Sequence, residues 1–384
     1  MGPSGAADSR DRRRMQAAVH AESCCLHWLV DVVQRFFLLC VVVATFVAGI
    51  PGMLFARMCQ SEARLDGKTV VVTGANTGIG KETALELVRR GARVVLACRD
   101  PERGRRAAAD ISARLADCPR AGELVVLALD LASLNSVRRG AGLLLAREPA
   151  LHVLVNNAGV FSSPRSLTED GIETQLGVNH VGHFLLTLLL LPRMLRSSPA
   201  RIINVTSMSH ISGRIDFDDL NMERSYSPYQ SYARSKLANI LFTRELADRL
   251  RGTGVTTYAV HPGCVATDIT RHLPQSYSRL SCWLFESLVL HMTPQQGAQT
   301  TVHCAVDEAA GGETGLYYSN CRRSSPFWNA TDKMAAAKLW DVSLKLTGLT
   351  KYDFLAAEDP GPTENSEREN QQERHSLDTF CRYK

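Results

Sequence analysis

Short apolar runs rich in β-branched residues alternate with amphipathic helical patterns from Lys68 onward, and this alternation constrains the fold more than any other feature of the chain. Strands are predicted over residues 68–73, 93–98, 124–128, 151–155, 201–205, 255–260 and 315–318. Helices are predicted between them over 79–90, 101–115, 134–147, 174–195, 228–250 and 297–306. Near-continuous apolar strands are typical of a parallel sheet covered on both faces. The sequence therefore predicts the α/β class, as a doubly wound parallel sheet (Rossmann fold).

A glycine-punctuated turn, Thr73-Gly-Ala-Asn-Thr-Gly-Ile-Gly80, joins the first strand to the first helix. Gly74 permits the tight turn, Gly78 lets the backbone approach a pyrophosphate, and Gly80 permits close packing of helix on strand. The start of the helix then faces the anion. The order of strand, turn and helix predicts a dinucleotide site beyond the carboxyl ends of the strands. Its predicted contacts in this turn are Gly74, Asn76, Thr77, Gly78, Ile79 and Gly80.

The end of the second strand distinguishes NAD from NADP. An acidic residue there would bind the adenosine ribose hydroxyls of NAD. This chain instead has Cys98 followed by Arg99, whose guanidinium suits a 2′-phosphate in both geometry and charge. The alternative is a surface arginine that pairs with Asp100. The sequence predicts NADP(H) as the cofactor.

Polar and small residues close the later strands. Asp130 ends the third strand, where its carboxylate could accept from the adenine amino group or cap the next helix. After the fourth strand, Asn156-Asn-Ala-Gly159 fits a strand end packed against the cofactor, and contacts are predicted from Asn157, Ala158 and Gly159. Asn179 lies among apolar residues of the long helix and needs a partner there. Ser207 ends the fifth strand.

Tyr232 and Lys236 stand four residues apart in the predicted helix over 228–250, so their side chains share one face. A phenol with a pKa of about 10 is a poor acid or base at neutral pH. An ammonium group beside it favours the phenolate and lowers that pKa, so the tyrosine could exchange a proton with an alcohol or carbonyl oxygen. A tyrosine four residues before a lysine is common by chance on solvated helices. The neighbouring motifs are what favour a catalytic role for this pair.

Together these motifs resemble the short-chain dehydrogenase/reductase family in order and spacing. They are Thr73-Gly-x-x-x-Gly-Ile-Gly80, Asn156-Asn-Ala-Gly159, Asn179, Ser207, Tyr232-x-x-x-Lys236 and Pro262-Gly263, and they span about residues 66–320. Finer features resemble its microsomal retinol dehydrogenase branch. These are Gly91-Ala-Arg-Val-Val-Leu-Ala-Cys-Arg99, Val178-Asn-His-Val-Gly-His-Phe184 and Ser235-Lys-Leu-Ala-Asn239.

The resemblance implies a catalytic domain over 66–350 and a role for each matched residue. Tyr232 would be the general acid in carbonyl reduction and the base in alcohol oxidation. Lys236 would lower the pKa of that tyrosine and bind the nicotinamide ribose. Ser207 would hold the substrate oxygen as charge develops on it, and Asn179 would carry a proton relay through water and Lys236. Further cofactor contacts, to the carboxamide face of the nicotinamide, would come from Pro262, Gly263, Val265 and Thr267.

Residues 264–293 form a long, irregular stretch with large apolar residues over 280–290. This stretch predicts a lid over the substrate or a contact with the bilayer surface, and an ordinary packed helix is the alternative. A lid and a bilayer contact would each suit a lipophilic substrate. The resemblance selects retinol and retinal, and steroid, lipid-aldehyde or small polar carbonyls are the alternatives. A non-catalytic dinucleotide-binding scaffold is disfavoured because Asn179, Ser207, Tyr232 and Lys236 are all present.

Residues 36–56 contain no charged side chain and are numerous enough to span a bilayer. The run is long and starts late for a signal peptide, so it predicts a retained single-pass transmembrane helix. Residues 1–35 and the polar tail over 358–384 are predicted to be disordered. The resemblance implies the endoplasmic reticulum, and a mitochondrial membrane is the alternative.

Charges near this run bear on its orientation. Arg57, Arg64 and Lys68 favour a cytosolic catalytic domain, whereas the arginines over 10–14 favour the opposite. Two segments match glycosylation sequons, Asn204-Val-Thr206 and Asn329-Ala-Thr331. The first falls in a predicted central strand, and the second would be modified only in a lumenal domain.

The composition disfavours other classes of site. A formal net charge of +5 with no basic surface motif predicts no nucleic-acid partner. The 11 cysteines form no Cys-x-x-Cys pair, which predicts reduced thiols instead of disulfides or a zinc site. His180, His183 and His210 have no carboxylate or cysteine at ligand spacing, so no metal is predicted. A homodimer is compatible with these features.

Overall fold

The structure is a computed structural model that describes residues 56–289, 292–353, 355 and 380–383. Nine strands in these residues form one sheet in the order β8-β7-β6-β5-β4-β1-β2-β3-β9. They are β1 (Thr69–Thr73), β2 (Arg93–Cys98), β3 (Leu124–Ala128), β4 (Val153–Asn156), β5 (Ala200–Val205), β6 (Val255–His261), β7 (Leu316–Ser319), β8 (Arg322–Ser324) and β9 (Phe380–Tyr383). Strands β1 to β7 run parallel, and β8 and β9 pair antiparallel at the two edges. The predicted doubly wound parallel sheet is confirmed.

Helices cover both faces of this sheet. They are α1 (Gly78–Arg89), α2 (Pro101–Arg114), α3 (Leu134–Arg147), α4 (Thr174–Leu176), α5 (Gly182–Arg196), α6 (Pro228–Arg249), α7 (Leu273–Ser276), α8 (Arg279–Val289), α9 (Pro294–Val306) and α10 (Lys333–Leu346). Val70 and Val72 of β1 pack with α1, α2 and α9, whereas Val71 packs with α3, α5 and α6 on the opposite face. Each such buried aliphatic side chain contributes about 1.5–3 kcal/mol, so the uninterrupted apolar strands stabilise two layers at once.

The helix predicted over 174–195 is not uniformly α-helical. Its two parts, α4 and α5, are joined by a π-helical turn, Gly177–Val181, in which Gly182 N–H donates to the Gly177 carbonyl. Such turns are frequent at functional sites, and Asn179 lies in this one. Among the described residues, helix Thr174–Arg196 alone has the length and apolarity to cross a membrane, but 89% of its apolar window is buried inside the fold. It is therefore the central core helix.

Besides β9, two elements after β7 were not predicted from the sequence. All three residues of β8 are exposed, so this strand has no alternation of apolar and polar residues to reveal it. Helix α10 does bury one face, through Ala336, Leu339, Trp340 and Ser343. That spacing is helical and was present in the sequence.

The predicted terminal segments fall largely outside the described residues. The transmembrane helix over 36–56 lies outside them apart from Ala56, and the disordered segment over 1–35 lies wholly outside. The same is true of most of the tail over 358–384. The described part of that tail, Phe380–Tyr383, forms β9 beside β3.

Candidate active site

Thr73, the last residue of β1, joins the ends of β1 and β4. Its hydroxyl oxygen accepts from the backbone N–H groups of Asn157 at 2.9 Å and Ala158 at 3.0 Å. Its carbonyl accepts from the Asn157 side-chain amide at 2.8 Å. These bonds hold Asn157, Ala158 and Gly159 beside the glycine turn, at the carboxyl edge of the sheet.

The glycine turn has no room for side chains. Gly74 and Gly78 have φ values of +66° and +56°, where L-residues with a side chain are strained. A Cβ atom on Gly80 would lie 2.4 Å from the Gly74 carbonyl oxygen and 2.5 Å from Asn157 Nδ2. The Thr77 side chain does not cap α1, and the first turn of this helix has no acidic residue. The backbone N–H groups at the start of α1 therefore remain directed at the cleft. This cradle fits the pyrophosphate of a dinucleotide.

A cleft of about 340 Å³ extends from the glycine turn to the tyrosine–lysine helix α6. Most of the predicted cofactor contacts line it, namely Gly74, Asn76, Thr77, Gly78, Ile79, Gly80, Arg99, Asp130, Asn157, Ala158, Gly159, Tyr232, Lys236, Pro262 and Thr267. Gly263 and Val265 line a second, adjoining cavity. The Asp130 carboxylate accepts from the Ala132 N–H at 2.9 Å. The side chain that caps α3 is that of Ser133, not that of Asp130.

Three arginines line the part of this cleft that lies beside the end of β2: Arg99, Arg103 and Arg271. No ion pair joins Arg99 to Asp100 in the described part of the chain, because the Asp100 carboxylate caps α2 by accepting from two backbone N–H groups. Burial, together with the nearby charges of Arg99 and Arg103, lowers the pKa of Arg271. Asp268 accepts from Thr77 at 3.0 Å and lies 3.7 Å from the Arg103 guanidinium.

Arg103, Asp268 and Arg271 were not among the predicted site residues. Arg103 lies in the first turn of α2, and a second arginine so soon after Arg99 in the sequence could have indicated it. Arg271 comes from the stretch after β6, far along the chain, and no local pattern connects it to Arg99.

Tyr232, Lys236 and Asn179 meet at the inner end of the cleft, and all three are buried. The Lys236 Nζ atom donates to the Val205 carbonyl at 3.1 Å and lies 5.5 Å from the centre of the Tyr232 ring. A Cβ atom on Gly159 would lie 3.4 Å from Asn179 Oδ1 and 3.6 Å from Lys236 Nζ. The sequence motifs that are far apart in the chain are thus adjacent in the fold.

Burial controls the ionisation of this cluster. It raises the pKa of Tyr232, and a hydrogen bond with Ser207 acts in the opposite direction. It lowers the pKa of Lys236 to about 8. The pKa of Tyr232 is therefore raised, whereas Lys236 was expected to lower it. Removing the phenolate from water destabilises it by more than the neighbouring protein groups stabilise it.

The Asn179 side chain is fully engaged by protein groups. Its oxygen accepts from Val160 N–H at 2.8 Å, and its amide donates to the Val160 carbonyl at 3.0 Å and to Ser235 Oγ at 2.8 Å. What Asn179 presents to other groups is its backbone carbonyl. His183 Nδ1 lies 3.1 Å from that oxygen, and its Nε2 lies 2.8 Å from Thr73 Oγ1.

The three histidines considered as metal ligands make hydrogen bonds with protein groups. Burial lowers the pKa of His183 to about 3 and that of His180 to about 4, so both are neutral. His180 Nε2 lies 2.9 Å from Ser343 Oγ. His210 Nδ1 lies 2.7 Å from the Ser207 carbonyl, which positions the end of β5.

The second cavity, of about 380 Å³, lies on the other side of Tyr232 and contains Ser207. Its walls are largely apolar, with Phe161, Met208, Ile211, Val265 and Phe285 among them. Phe285 of α8 stacks on Phe161 with ring centres 5.7 Å apart, and Phe161 meets the Tyr232 ring edge-on at 4.6 Å. The predicted lid stretch therefore supplies one wall of this cavity.

The base of the lid stretch is closed by backbone pairing. Met292 N–H donates to the Cys264 carbonyl and Ala266 N–H donates to the Met292 carbonyl, each at 3.0 Å. Within the stretch, Ser276 Oγ donates to the Ser162 carbonyl at 2.8 Å. The described part of the lid is thus attached both at its base and to the loop after β4.

Comparison with known proteins identifies what this arrangement is similar to. The short chain dehydrogenase family model matches residues 68–278. Human retinol dehydrogenase 11 is 50% identical over 297 residues, which are 77% of this chain and 91% of that protein. An uncharacterized protein from Mycobacterium paratuberculosis has a crystal structure with a TM-score of 0.59 and 36% identity, over 74% of this chain and 95% of its own. RhlG from Pseudomonas aeruginosa, solved with NADP, has a TM-score of 0.52 and 28% identity, over 67% and 95%.

Proposed function

The chain belongs to the short chain dehydrogenase family, and on that premise we propose that it interconverts a lipophilic alcohol and its aldehyde or ketone with NADP(H). Retinol and retinal are the proposed pair. The observation that carries the proposal is the position of Tyr232, on the wall shared by the nucleotide cleft and the apolar cavity. A hydroxyl there can meet a substrate oxygen on one side while a cofactor lies on the other.

Each residue of the cluster has a distinct task in this proposal. The Tyr232 hydroxyl donates a proton to the carbonyl oxygen in reduction and accepts one from the alcohol in oxidation. Ser207, in the same cavity, holds that oxygen by a hydrogen bond. Lys236 holds the ribose and keeps a positive charge near the phenol, and the Asn179 carbonyl holds the water that renews the proton. The nicotinamide, when bound, supplies or accepts the hydride.

The apolar wall of the second cavity supports a lipophilic substrate. Ser207 and Tyr232 supply the polar atoms for one oxygen, and Phe161, Met208 and Phe285 can contact a hydrocarbon chain. The name of the human relative, retinol dehydrogenase 11, favours a retinoid over a steroid or a lipid aldehyde. A small polar carbonyl would leave most of this surface without contacts.

A substrate panel tests the proposal directly. Purified protein is assayed with all-trans-retinal, a steroid ketone, a medium-chain aldehyde and a keto sugar, each with NADPH and with NADH. We expect the highest kcat/KM for retinal with NADPH. Preference for the keto sugar would contradict the lipophilic substrate. Tight NADPH binding without turnover of any carbonyl would favour the non-catalytic scaffold.

Arg99 is proposed to select NADPH through the 2′-phosphate. Replacing Arg99 by alanine removes a charged hydrogen bond of about 1.5–3 kcal/mol, so kcat/KM for NADPH should fall by about ten- to hundredfold. The value for NADH should change little, because NADH has no phosphate at that position. Arg251→Ala is the matched control, since Arg251 is a highly exposed arginine that lines neither cavity. An equal loss for both cofactors would contradict the assigned role.

Residues 36–56 are proposed to anchor the protein in a membrane, with the endoplasmic reticulum as the proposed site and the catalytic domain in the cytosol. Both sequons are consistent with that orientation. Asn204 is buried and its amide donates to Thr243. The Asn329 amide donates to the carbonyls of His210 and Gly213, at 2.8 and 3.0 Å. A glycan on either asparagine would break these bonds. Protease digestion of intact microsomes tests the orientation, because a cytosolic domain is degraded without detergent.

A further inference from the structure

We propose that the mouth of the apolar cavity docks on a phospholipid bilayer, so that substrate enters from the lipid phase without crossing water. The inference rests on the proposed lipophilic substrate and adds the surface that receives it. The docking surface consists of five exposed apolar side chains: Ile211, Leu280, Trp283, Phe327 and Trp328.

These side chains are unusually open to solvent for their size. The exposed fractions are 66% for Leu280, 61% for Trp283 and 74% for Trp328. Clustered large apolar side chains at the surface of a soluble domain indicate a binding surface. Tryptophan in particular suits the headgroup level of a bilayer, where its ring is buried and its N–H stays hydrated.

The docking surface borders the cavity from two sides. On one side, α8 contributes Phe285 to the cavity wall while Leu280 and Trp283 are exposed to solvent. On the other side, Ile211 lines the cavity and is itself 43% exposed. A lipid phase in contact with both sides would therefore adjoin the cavity directly.

A hydrogen-bonded turn keeps Phe327 and Trp328 next to Ile211. The amide of Asn329 donates to the carbonyl of Ile211 at 3.3 Å, in addition to its bonds with the neighbouring carbonyls. Phe327 N–H donates to His210 Nε2 at 3.1 Å. The two aromatic side chains are thus held beside Ile211, which lines the cavity, by the short helix Met208–Ser212 that follows β5.

The path of the chain indicates why the partner is a bilayer. Arg57, which directly follows the apolar run over 36–56, donates its N–H to Asn320 Oδ1 at 2.7 Å, and its carbonyl accepts from the Cys321 thiol. Asn320 and Cys321 form the turn after β7, at the carboxyl edge of the parallel sheet. The linings of both cavities include residues that follow β4, β5 and β6 at this same edge. A membrane that contains the apolar run is thereby brought to the edge at which the substrate enters.

Charge near the docking surface also suits a membrane. Arg279 is exposed on α8, and Arg322, Arg323 and Lys333 are exposed just before and just after Phe327 and Trp328 in the chain. The exposed acidic residues there are Glu286 and Asp332, and Arg323 lies 3.9 Å from Glu313, so the basic side chains outnumber the acidic ones. Anionic headgroups attract such residues with about 1 kcal/mol each. Phospholipid therefore matches this surface in both its apolar and its basic parts.

Lipid-specific quenching of tryptophan tests the contact. The full chain carries four tryptophans, of which Trp340 is buried in the core. In a Trp28→Phe background, the protein is reconstituted in vesicles of phosphatidylserine and brominated phosphatidylcholine, whose bromine atoms quench nearby indoles. We expect strong quenching that falls by roughly half with Trp283→Phe and again with Trp328→Phe. Quenching that neither substitution changes would overturn the proposal.

A kinetic measurement separates docking from catalysis. Leu280→Ser combined with Trp283→Ser should raise the KM for retinal presented in vesicles by roughly tenfold, because two large apolar contacts are lost. The kcat/KM for retinal presented on a soluble carrier protein should stay unchanged. Leu167→Ser is the matched control, since Leu167 is 48% exposed and lines neither cavity.

The outcomes distinguish this inference from the proposed activity. Quenching by brominated lipid without any turnover of retinal would leave docking intact and contradict the proposed substrate. Equal losses with vesicles and with the carrier protein would mean that the two residues shape the cavity, and docking would be wrong. Docking would also be wrong if detergent-solubilised protein sediments as a dimer that the double serine variant dissociates, because a second copy would then cover the surface.

Discussion

Replacing Tyr232 by phenylalanine is expected to lower kcat by about 10²–10⁴-fold, the range that a positioned general acid or base contributes. The substitution removes one oxygen atom and keeps the ring. That ring is 7% exposed and packs edge-on against Phe161 at 4.6 Å, so the fold and the cofactor cleft should be unchanged. Turnover of retinal is measured at saturating NADPH, together with the Kd for NADPH.

A neighbouring tyrosine provides the control for this substitution. Tyr229 lines the same cavity, and its hydroxyl accepts from Ser212 Oγ at 3.2 Å. Tyr229→Phe should change kcat by less than about threefold, because no lysine follows it at helical spacing. If Tyr232→Phe retains kcat, another group transfers the proton and the assigned mechanism is wrong.

Replacing Gly80 by alanine is expected to abolish NADPH binding and to cost about 1–3 kcal/mol of stability, the usual cost of overpacking. The new Cβ atom would lie 2.4 Å from the Gly74 carbonyl oxygen and 2.5 Å from Asn157 Nδ2. Both groups belong to the cradle itself, so relief of the clash must displace the glycine turn or the end of β4. Thermal unfolding and NADPH fluorescence titration measure the two effects.

Gly142 provides a matched glycine in a helix. A Cβ atom there would have no heavy atom within 4 Å, and it lies inside α3. Gly142→Ala should therefore stabilise the protein by about 0.5–1 kcal/mol and leave NADPH affinity unchanged. If the Gly80 variant remains folded and binds NADPH normally, the cradle does not hold the cofactor.

The parallel sheet was predictable because its signals are local. β1 buries all five of its residues and β2 buries five of six, so both appear in the sequence as continuous apolar runs. The glycine turn joins the end of β1 directly to α1. The carboxyl edge of such a sheet brings the strand ends together, and the cleft there contains nearly all of the predicted contacts.

Other features depend on contacts between distant parts of the chain. The arginine group required Arg271 to approach Arg99 from a different element, and the bond between Thr77 and Asp268 spans 191 positions. The sequence shows Lys236 at helical spacing from Tyr232 and so predicts a lowered pKa for the tyrosine, but it does not show how deeply the ring is buried. Burial has the larger effect, and the edge-on contact with Phe161 contributes to it.

The ladder between Cys264, Ala266 and Met292 has a consequence for how this protein could diversify. Thr267, Asp268 and Arg271, at the start of this stretch, line the nucleotide cleft. Since the chain leaves and returns at one point, the part after Arg271 can change in length or composition without altering the strands or the nucleotide cradle. Selection could thus change which alcohol the protein accepts as substrate while the cofactor-binding part stays constant. Exchange of this stretch between relatives is the natural unit for transferring substrate preference.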